Sequence, residues 1–399
     1  MTVQPLGLRA NEERWFYALV AAGGLVLLAG LGAAHYMDLM GHVVTGMNNQ
    51  VVWGLPHVFA IFMIVAASGA LNVASVGSVF GVAAYKPHAR LSALLCFALL
   101  AGGLMVLLLD LGRPERLIVA ATHFNFVSVF AWNVILYSGM FAIVAVYLWT
   151  MMERRMNAYT GSVGVAALIW RFVLTTGTGS IFGFLVARQA YHSALLAPLF
   201  IVLSLAWGQA VFLLVQGAVH AWHGCALPRD VTQRMARLLA VFTAASLYLV
   251  VVYHLTNLYF ARQIAFEAFI LLGRDGGALY AALFWVGYVA LGTALPLALL
   301  WLKGGTRATL AASAFIVAGA FAWLYVFIIG GQAFPLEIFP GHVVSSSFFD
   351  GAVDAYRPSW PEWLLGLGGL AAAFIAIVVG VRVLDIEPPP QQDGDAAQT

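Results

Sequence analysis

The sequence predicts an all-α, polytopic membrane protein, a transmembrane helix bundle of about ten spans, and two observations carry this prediction. Hydrophobic residues make up 62% of the 399 residues and charged residues only 9%, whereas soluble domains carry about 25% charged residues. Apolar stretches of about 20 residues or more recur along the whole chain, which is the length needed to cross roughly 30 Å of hydrocarbon. Barrel strands are about 10 residues long and alternate in polarity, so the pattern excludes a transmembrane barrel.

The spans follow one another with short connections, which leaves no room for a second globular domain. Charged residues precede the first span, the second opens with the letters WGLPH, and the third ends at LDLGRP. We place the spans at 16–36, 53–80, 91–111, 126–151, 162–186, 195–221, 238–260, 277–302, 308–331 and 362–383.

Two segments lie outside the spans and differ from the short connections. The connection 332–361 is long and holds four prolines, and long loops in compact proteins are usually functional or disordered. The tail 387–399 is polar and rich in proline, which is typical of disorder. We therefore expect one integral membrane domain over 1–386 and a disordered cytoplasmic tail over 387–399.

Basic residues predict the orientation, since loops on the cytoplasmic side carry an excess of Lys and Arg. If the N-terminus is cytoplasmic, twelve of the 19 basic residues lie on the inner side, six lie on the outer side, and Arg171 lies within a span. Both termini are then cytoplasmic. This favours a multi-pass protein of the bacterial inner membrane, with loop 332–361 outside.

The histidines gather on the opposite side from most of the basic residues. In this orientation only His88, His220 and His223 are inner. Seven are outer: His35, His42, His57, His123, His192, His254 and His342. Imidazoles titrate near neutral pH, so the outer side concentrates groups that can exchange protons.

The outer ends of the first two spans form one candidate site. His35 and Asp38 close the first span, and Trp53 and His57 open the second. Ionisable groups at membrane depth are costly and usually functional. A His–Asp pair can donate a hydrogen bond to a quinone carbonyl and exchange a proton with it. The alternative is that these histidines are merely hydrated at the interface.

The outer end of the third span forms a second candidate. Asp110 is the last acid at depth, Gly112 and Pro114 terminate the helix, and Arg113 follows. An Asp110–Arg113 pair would stabilise the helix end, and the same carboxylate is a candidate proton relay. The turn between the fifth and sixth spans adds Tyr191 and His192.

Cysteine usage argues against a redox centre within the chain. Cys96 lies in an apolar run and Cys225 in a loop, and no CxxC or CxxCH motif occurs. Iron–sulfur clusters, thiolate zinc and covalent haem therefore have no support in the sequence.

Three stretches carry a resemblance to a known family. The stretches are LDLGRPERL at 109–117, NFVSVFAWNVILY at 125–137 and ARQAYHSALLAPLFIVLS at 187–204. With these, the chain resembles the NrfD/PsrC family, the membrane subunits of polysulfide-reductase-like respiratory complexes. The last two stretches and the ten spans look closest to the DsrP branch, the membrane subunit of the DsrMKJOP sulfur-metabolism complex.

The resemblance implies a quinone site and redox partners. Such subunits bind a quinone, here menaquinone or ubiquinone, near the outer face and hold no metal, haem or iron–sulfur cluster of their own. The partners implied are a periplasmic ferredoxin-like iron–sulfur subunit and, with it, a multihaem cytochrome c and further membrane subunits. The lipid bilayer is the remaining partner, and no nucleic acid is expected.

The resemblance also points to particular residues of the quinone pocket. It implies a His and a polar neighbour from the first helix of the bundle, and a Tyr from a later helix. His35 fits the His by position and His57 is its rival, while Tyr137 and Tyr191 both stand as candidates for the Tyr.

The overall expectation is a subunit that exchanges electrons between membrane quinone and an attached iron–sulfur protein and is not catalytic alone. Two alternatives remain. A haem b membrane anchor would need facing histidines inside the bilayer. A secondary transporter would need broken helices in matching positions of two halves, for which the glycine-rich 175–183 segment is the hint.

Overall fold

The computed structural model describes residues 6–336, 351–384 and 386. Within these residues ten helical stretches are long and apolar enough to span a membrane. We number them α1 to α10: Leu6–Met40, Leu55–Ser78, Ala89–Leu109, Val129–Met152, Thr160–Gly183, Leu196–Trp222, Arg229–Tyr259, Ala278–Lys303, Gly305–Ala333 and Trp360–Val383.

The predicted all-α fold and its ten spans are confirmed, with differences at the ends. Helix α7 begins at Arg229 rather than at 238, because its first two turns carry charged residues that a hydropathy pattern leaves out. Helix α2 is interrupted at Leu71, between Leu55–Ala70 and Asn72–Ser78. His342, part of the 332–361 loop and the whole predicted tail 387–399 lie outside the described residues.

The helices alternate in direction, which defines two sides of the molecule. We call the side where the odd-numbered helices end the histidine side, because His42 and His57 lie there. We call the side where they begin the basic side, because it carries Lys86, Arg90, Lys303 and Arg307. One side of the bundle is therefore rich in titratable imidazoles and the other in permanent positive charge.

Helix α2 lies at the centre of the bundle. In its most apolar window 94% of the residues are buried, and it packs against α3, α6 and α10, with further contacts to α5 and α9. Helices α4 and α5 complete a first group with α2 and α3, whereas α6 to α9 form a second group. Helix α1 packs mainly against α10, so it lies at the periphery.

Close approach of α2 and α6 depends on two glycines. A Cβ atom on Gly69 would overlap the carbonyl of Ser204, and one on Gly208 would overlap the backbone of Gly69 and Ala70. Small residues at helix contacts let backbones approach, and in lipid this packing rather than a hydrophobic driving force holds helices together.

The structure removes the hint of a broken helix at 175–183. This segment lies inside the continuous helix α5, Thr160–Gly183. Besides the interruption of α2 at Leu71, the described spans depart from α-helical geometry in α8 and α9, where Leu283–Ala294, Leu299–Lys303 and Tyr325–Gly330 are π-helical.

Gly208→Val should destabilise the bundle, because the branched side chain meets backbone atoms of α2 that cannot move aside. Overpacking costs about 1–3 kcal/mol and sometimes more. Thermal unfolding of the purified protein in detergent measures the effect. Gly24→Val on α1, whose Cβ would meet nothing within 4 Å, is the matched control, and equal stability of the two variants would contradict the packing argument.

Candidate functional site

A cavity of about 390 Å³ opens among α2, α3, α4 and α5 near the histidine side. Its polar lining comes from His57, Asn133, Tyr137 and Ser138, and the rest is aliphatic or aromatic. The apolar lining residues are Trp53, Ile61, Leu104, Leu107, Leu108, Leu111, Leu117, Phe130, Val134, Ile181, Phe182 and Ile328. A mostly apolar cleft with a few converging polar groups is the usual form of a small-molecule site.

The position of His57 follows from the start of α2. Gly54 caps the helix and Pro56 occupies its first turn, where the missing N–H of proline costs nothing. His57 therefore lies in the first turn with its ring towards the end of α3. Its Nδ1 lies 2.9 Å from Oδ2 of Asp110. Since Nδ1 faces the carboxylate, Nε2 is the nitrogen that remains for a ligand.

Asp110 is the centre of a cluster with two histidines. It caps the C-terminal end of α3, and its side chain is 1% exposed. The other oxygen, Oδ1, lies 3.8 Å from Nε2 of His42, and the same nitrogen lies 3.2 Å from the Asp110 carbonyl. Burial opposes ionisation of Asp110, but the two imidazoles beside its carboxylate prevail, so its pKa is lowered.

His42 connects this cluster to the exterior. It lies on the short 3₁₀ turn His42–Val44 after α1, and its side chain is 33% exposed. Its hydrogen bond to Asp110, partly offset by burial, raises the pKa of His42. The order His57, Asp110, His42 therefore leads from the cavity wall to solvent.

Trp53 is fixed by its backbone. The side-chain oxygen of Gln332 accepts hydrogen bonds from the N–H groups of Val52 and Trp53 at 3.1 and 3.0 Å, and its amide nitrogen donates to the Trp53 carbonyl at 3.0 Å. Arg188 donates to the carbonyls of Gln332 and Gln50 at 2.8 and 2.6 Å. The indole then stacks on His57 with 6.0 Å between ring centroids.

The far wall of the cavity carries Tyr137 and Asn133. The Tyr137 hydroxyl is buried and lies 3.4 Å from the Thr178 hydroxyl. The Asn133 amide donates to the carbonyls of Val129 and Gly177 at 2.8 and 3.3 Å. Its Oδ1 is buried with no hydrogen-bond partner, so an acceptor is left free beside the cavity.

Of the residues proposed from the sequence, the structure brings Trp53, His57, Asp110 and Tyr137 together. It does not bring His35 and Asp38 to the cavity: both are exposed on α1, which packs against α10 rather than along the cavity. His57 is thus the histidine at the cavity wall.

Tyr191 and His192 take separate positions behind the cavity. The Tyr191 hydroxyl is fully buried and donates to the carbonyls of Phe327 and Ile328 at 3.2 and 3.0 Å, and burial raises its pKa. Its ring packs on Phe182, so it supports the wall. His192 is exposed, with a positive φ of 58°, and does not line the cavity.

The Asp110–Arg113 pair expected at the end of α3 does not form. Arg113 is exposed, and the contacts of the Asp110 carboxylate among described residues are to the two histidines. The reason is geometric: Gly112 has a φ of +70°, which turns the chain away after Asp110, and the carboxylate faces inward.

A second buried carboxylate was not found from the sequence. Glu267, on the short helix Ile264–Leu272, is 0% exposed. Its oxygens lie 2.7 Å from His254 Nδ1 and 2.7 Å from the Asn257 amide nitrogen, which donates to it. His254 and Asn257 are polar residues of the seventh span in the sequence, but their partner comes from the short helix in the connection that follows it.

Comparison with known proteins identifies the family. The family model "Polysulphide reductase, NrfD" matches residues 43–336. The chain belongs to the NrfD family. The match covers α2 to α9, and therefore the cavity and its His57–Asp110 pair, while α1 and α10 lie outside it.

Individual relatives resemble the chain over nearly its whole length. The chain is 29% identical to an Hdr-like menaquinol oxidoreductase integral membrane subunit of Archaeoglobus fulgidus, over 94% of each chain. It is 27% identical to a putative dimethyl sulfoxide reductase membrane subunit of Halobacterium salinarum, over 91% of this chain and 90% of the relative. A selenate reductase subunit of Mesobacillus selenatarsenatis is 21% identical, over 87% and 88%.

The His42–Asp110 contact predicts a pH dependence. Because the folded-state pKa of His42 is raised above 6.5, its protonated form stabilises the fold at pH below 6.5, and this contribution is lost as the pH rises through the raised value. Asp110→Asn should lower the pKa of His42 towards its ordinary value. Histidine-selective ¹³C NMR in nanodiscs, assigned with His42→Asn, measures it. Exposed His123 is the internal control, and an unchanged His42 titration in Asp110→Asn would refute the coupling.

Proposed function

We propose that this NrfD-family protein is the quinone-reactive membrane subunit of an oxidoreductase complex. In this proposal it binds the quinone headgroup in the cavity beside His57 and exchanges electrons with an iron–sulfur subunit on the histidine side. The observation that carries the proposal is an imidazole on an apolar cavity wall whose far nitrogen contacts a buried carboxylate.

The cavity suits a flat, mostly apolar ring with polar edges. Its volume of about 390 Å³ falls in the usual range for small-molecule sites, roughly 300–1,000 Å³. Trp53 and Phe182 offer ring faces or edges on one wall, with their centroids 5.5 Å apart. His57 and Tyr137 lie on the lining with groups that can hydrogen-bond to a carbonyl or hydroxyl oxygen.

A quinone or quinol bound here would supply two-electron chemistry coupled to proton exchange. The residues supply the proton route. In this proposal His57 accepts a proton at Nε2, and the Asp110 carboxylate beside Nδ1 holds the ring in orientation, as a carboxylate does for a catalytic histidine. His42 contacts the same carboxylate and is partly exposed, so protons can leave to solvent through it.

The relatives support the proposal by their names. One is described as a menaquinol oxidoreductase membrane subunit, and the other two are described as subunits of reductases. We therefore favour menaquinone over ubiquinone. We also propose the DsrP branch, with a ferredoxin-like iron–sulfur subunit and a multihaem cytochrome c as partners, on the sequence resemblance alone.

Orientation is part of the proposal. The excess of Lys and Arg on the basic side favours a cytoplasmic location for that side and for both termini of a bacterial inner-membrane protein. The histidine side is then periplasmic, which puts the proposed iron–sulfur partner and the cavity on the same side.

His57→Gln should reduce quinol-linked electron transfer, because the proton acceptor on the cavity wall is lost. General base catalysis contributes typically 10²–10⁴-fold, so we expect a loss of at least about tenfold. Oxidation of a soluble menaquinol analogue by membranes holding the intact complex measures it.

His35→Gln is the matched control, since it removes an imidazole from the same side that is exposed on α1. Wild-type turnover in His57→Gln, or equal losses in both variants, would contradict the proposed site. A pyridine haemochrome spectrum of the same preparation tests the haem b alternative, which a haem signal in stoichiometric amount would favour.

The partner should cross-link to the histidine side. Ala355 and Arg357 are exposed there, in the described end of loop 332–361. Ala355→Cys carrying a photo-cross-linker should capture an iron–sulfur subunit in native membranes, whereas Lys303→Cys on the basic side should not. Capture of cytoplasmic proteins alone from Ala355→Cys would overturn both the docking side and the orientation.

A further inference from the structure

A second cavity lies at the opposite end of α3 from Asp110. It has a volume of about 350 Å³ and forms where α2 ends, α3 and α5 begin, and α4 ends. Its lining includes Lys86, Arg90, Ser78, Asn157 and Thr160. This cavity shares no lining residue with the one beside His57, and the proposed quinone chemistry does not use it.

The charged side chains that line this cavity are all positive. Lys86 and Arg90 are exposed and line it, and no carboxylate is part of the lining. One Arg90 Nη atom donates to the Met151 carbonyl at 3.2 Å, which holds the guanidinium at the cavity. In the part of the chain that the structure describes, neither cation has an ion-pair partner. Two cations that line one concave polar surface and have no ion-pair partner among the described residues favour an anionic ligand.

The surrounding backbone adds to the positive potential. Helices α3 and α5 begin at Ala89 and Thr160, both of which line the cavity. The N–H groups of Ala89 and Thr160 donate to the Lys86 and Asn157 carbonyls of the preceding 3₁₀ turns, so the contribution here is that of the positive ends of the two helix dipoles. Arg154 and Arg155 follow α4 in the adjoining 3₁₀ turn Arg154–Tyr159. Glu153 is exposed, and its carboxylate accepts the Arg155 N–H.

The position of the cavity relative to the membrane surface favours a lipid headgroup as the source of the anion. Trp149 and Tyr159, on the helix end and the turn beside it, are 53% and 57% exposed. Exposed Trp and Tyr at helix ends lie at the level of the lipid headgroups. A basic cavity between helices at this level is the kind of site that binds anionic lipid headgroups.

We propose that the cavity at Lys86 and Arg90 binds the phosphate headgroup of an anionic phospholipid from the leaflet on the basic side. The phosphate oxygens are held by these two cations, and the acyl chains lie along the apolar outer surface of α4. The bound lipid would join the ends of α2 and α4 to the beginnings of α3 and α5, whose other ends form the cavity beside His57.

Native mass spectrometry of the delipidated protein, titrated with phosphatidylglycerol and separately with phosphatidylcholine, tests the proposal. Wild type should bind phosphatidylglycerol more tightly. The double variant Lys86→Gln/Arg90→Gln should weaken this binding about tenfold or more, since each basic residue near an anionic headgroup contributes measurably. Lys303→Gln/Arg307→Gln is the matched control, because it removes one Lys and one Arg from the same side, away from the cavity, and should bind as wild type does.

Gly161 allows a second test that leaves both cations in place. It lines the cavity, and a Cβ there would meet nothing within 4 Å. Gly161→Glu should repel the headgroup while the fold tolerates it, because an acidic residue suits the first turn of a helix. Gly161→Gln is its neutral control and should retain more of the binding.

Three outcomes would overturn the proposal. Equal phosphatidylglycerol binding by wild type and Lys86→Gln/Arg90→Gln would show that the cavity is not the site. An equal loss of phosphatidylglycerol binding in Lys303→Gln/Arg307→Gln would show that the binding depends only on the net charge of the protein. Displacement of phosphatidylglycerol by millimolar inorganic phosphate, with binding of phosphate alone, would make free phosphate the ligand instead of lipid.

Discussion

A carboxylate buried between two imidazoles organises the histidine side of this molecule. Removing a charge from water costs several kcal/mol even after relaxation, so Asp110, with a side chain 1% exposed, requires close counter-charges. His57 comes from α2 and His42 from the turn after α1, and both contact Asp110 at the end of α3. The cluster therefore joins three separate segments at the mouth of an apolar cavity. His57 therefore both lines the cavity and helps to hold α2 against the end of α3.

Elsewhere on the histidine side, buried polar side chains form hydrogen bonds to the irregular backbone that connects α1 to α2. Glu362 at the start of α10 is 0% exposed. Its carboxylate accepts the N–H of Gly46 at 2.8 Å and the Tyr356 hydroxyl at 2.5 Å, and that hydroxyl in turn accepts the Leu55 N–H at 2.7 Å. Burial and the neighbouring Glu362 charge raise the pKa of Tyr356, which keeps it a donor. Unpaired backbone groups at membrane depth are costly, and these contacts satisfy the N–H groups of Gly46 and Leu55.

Hydropathy is sufficient to predict the spans, since their length and apolar character are set by the bilayer and need no tertiary information.

The candidate site can be predicted from the sequence only in part. His57, Trp53, Asp110 and Tyr137 stood out because polar groups in apolar stretches are rare, but sequence proximity suggested the wrong partners. Arg113 is three residues from Asp110, yet the turn at Gly112 takes it outward. His35 and Asp38 look equivalent to His57 in the sequence, yet α1 packs against α10.

Residues whose role depends on long-range contacts cannot be found from the sequence pattern. Gln332 lies about 280 positions from Trp53 and yet fixes its backbone, and Glu267 meets its two partners on α7 only because the fold brings them together.

The family match includes the residues that line the cavity but leaves out α1, His42 and α10. Residues 43–336 cover α2 to α9, so the cavity, His57 and Asp110 lie within the matched region, while His42 lies one residue before it. Helix α10 lies beyond it, and yet its Glu362 supports the turn that leads into α2. Helix α1 approaches α10 closely where Gly30 meets Gly368, and it leads directly into the His42 turn. The two terminal helices thus add no residue to the cavity lining, but α1 leads into the turn whose His42 connects the Asp110 cluster to solvent, and Glu362 of α10 holds the next residues of that connection through Gly46.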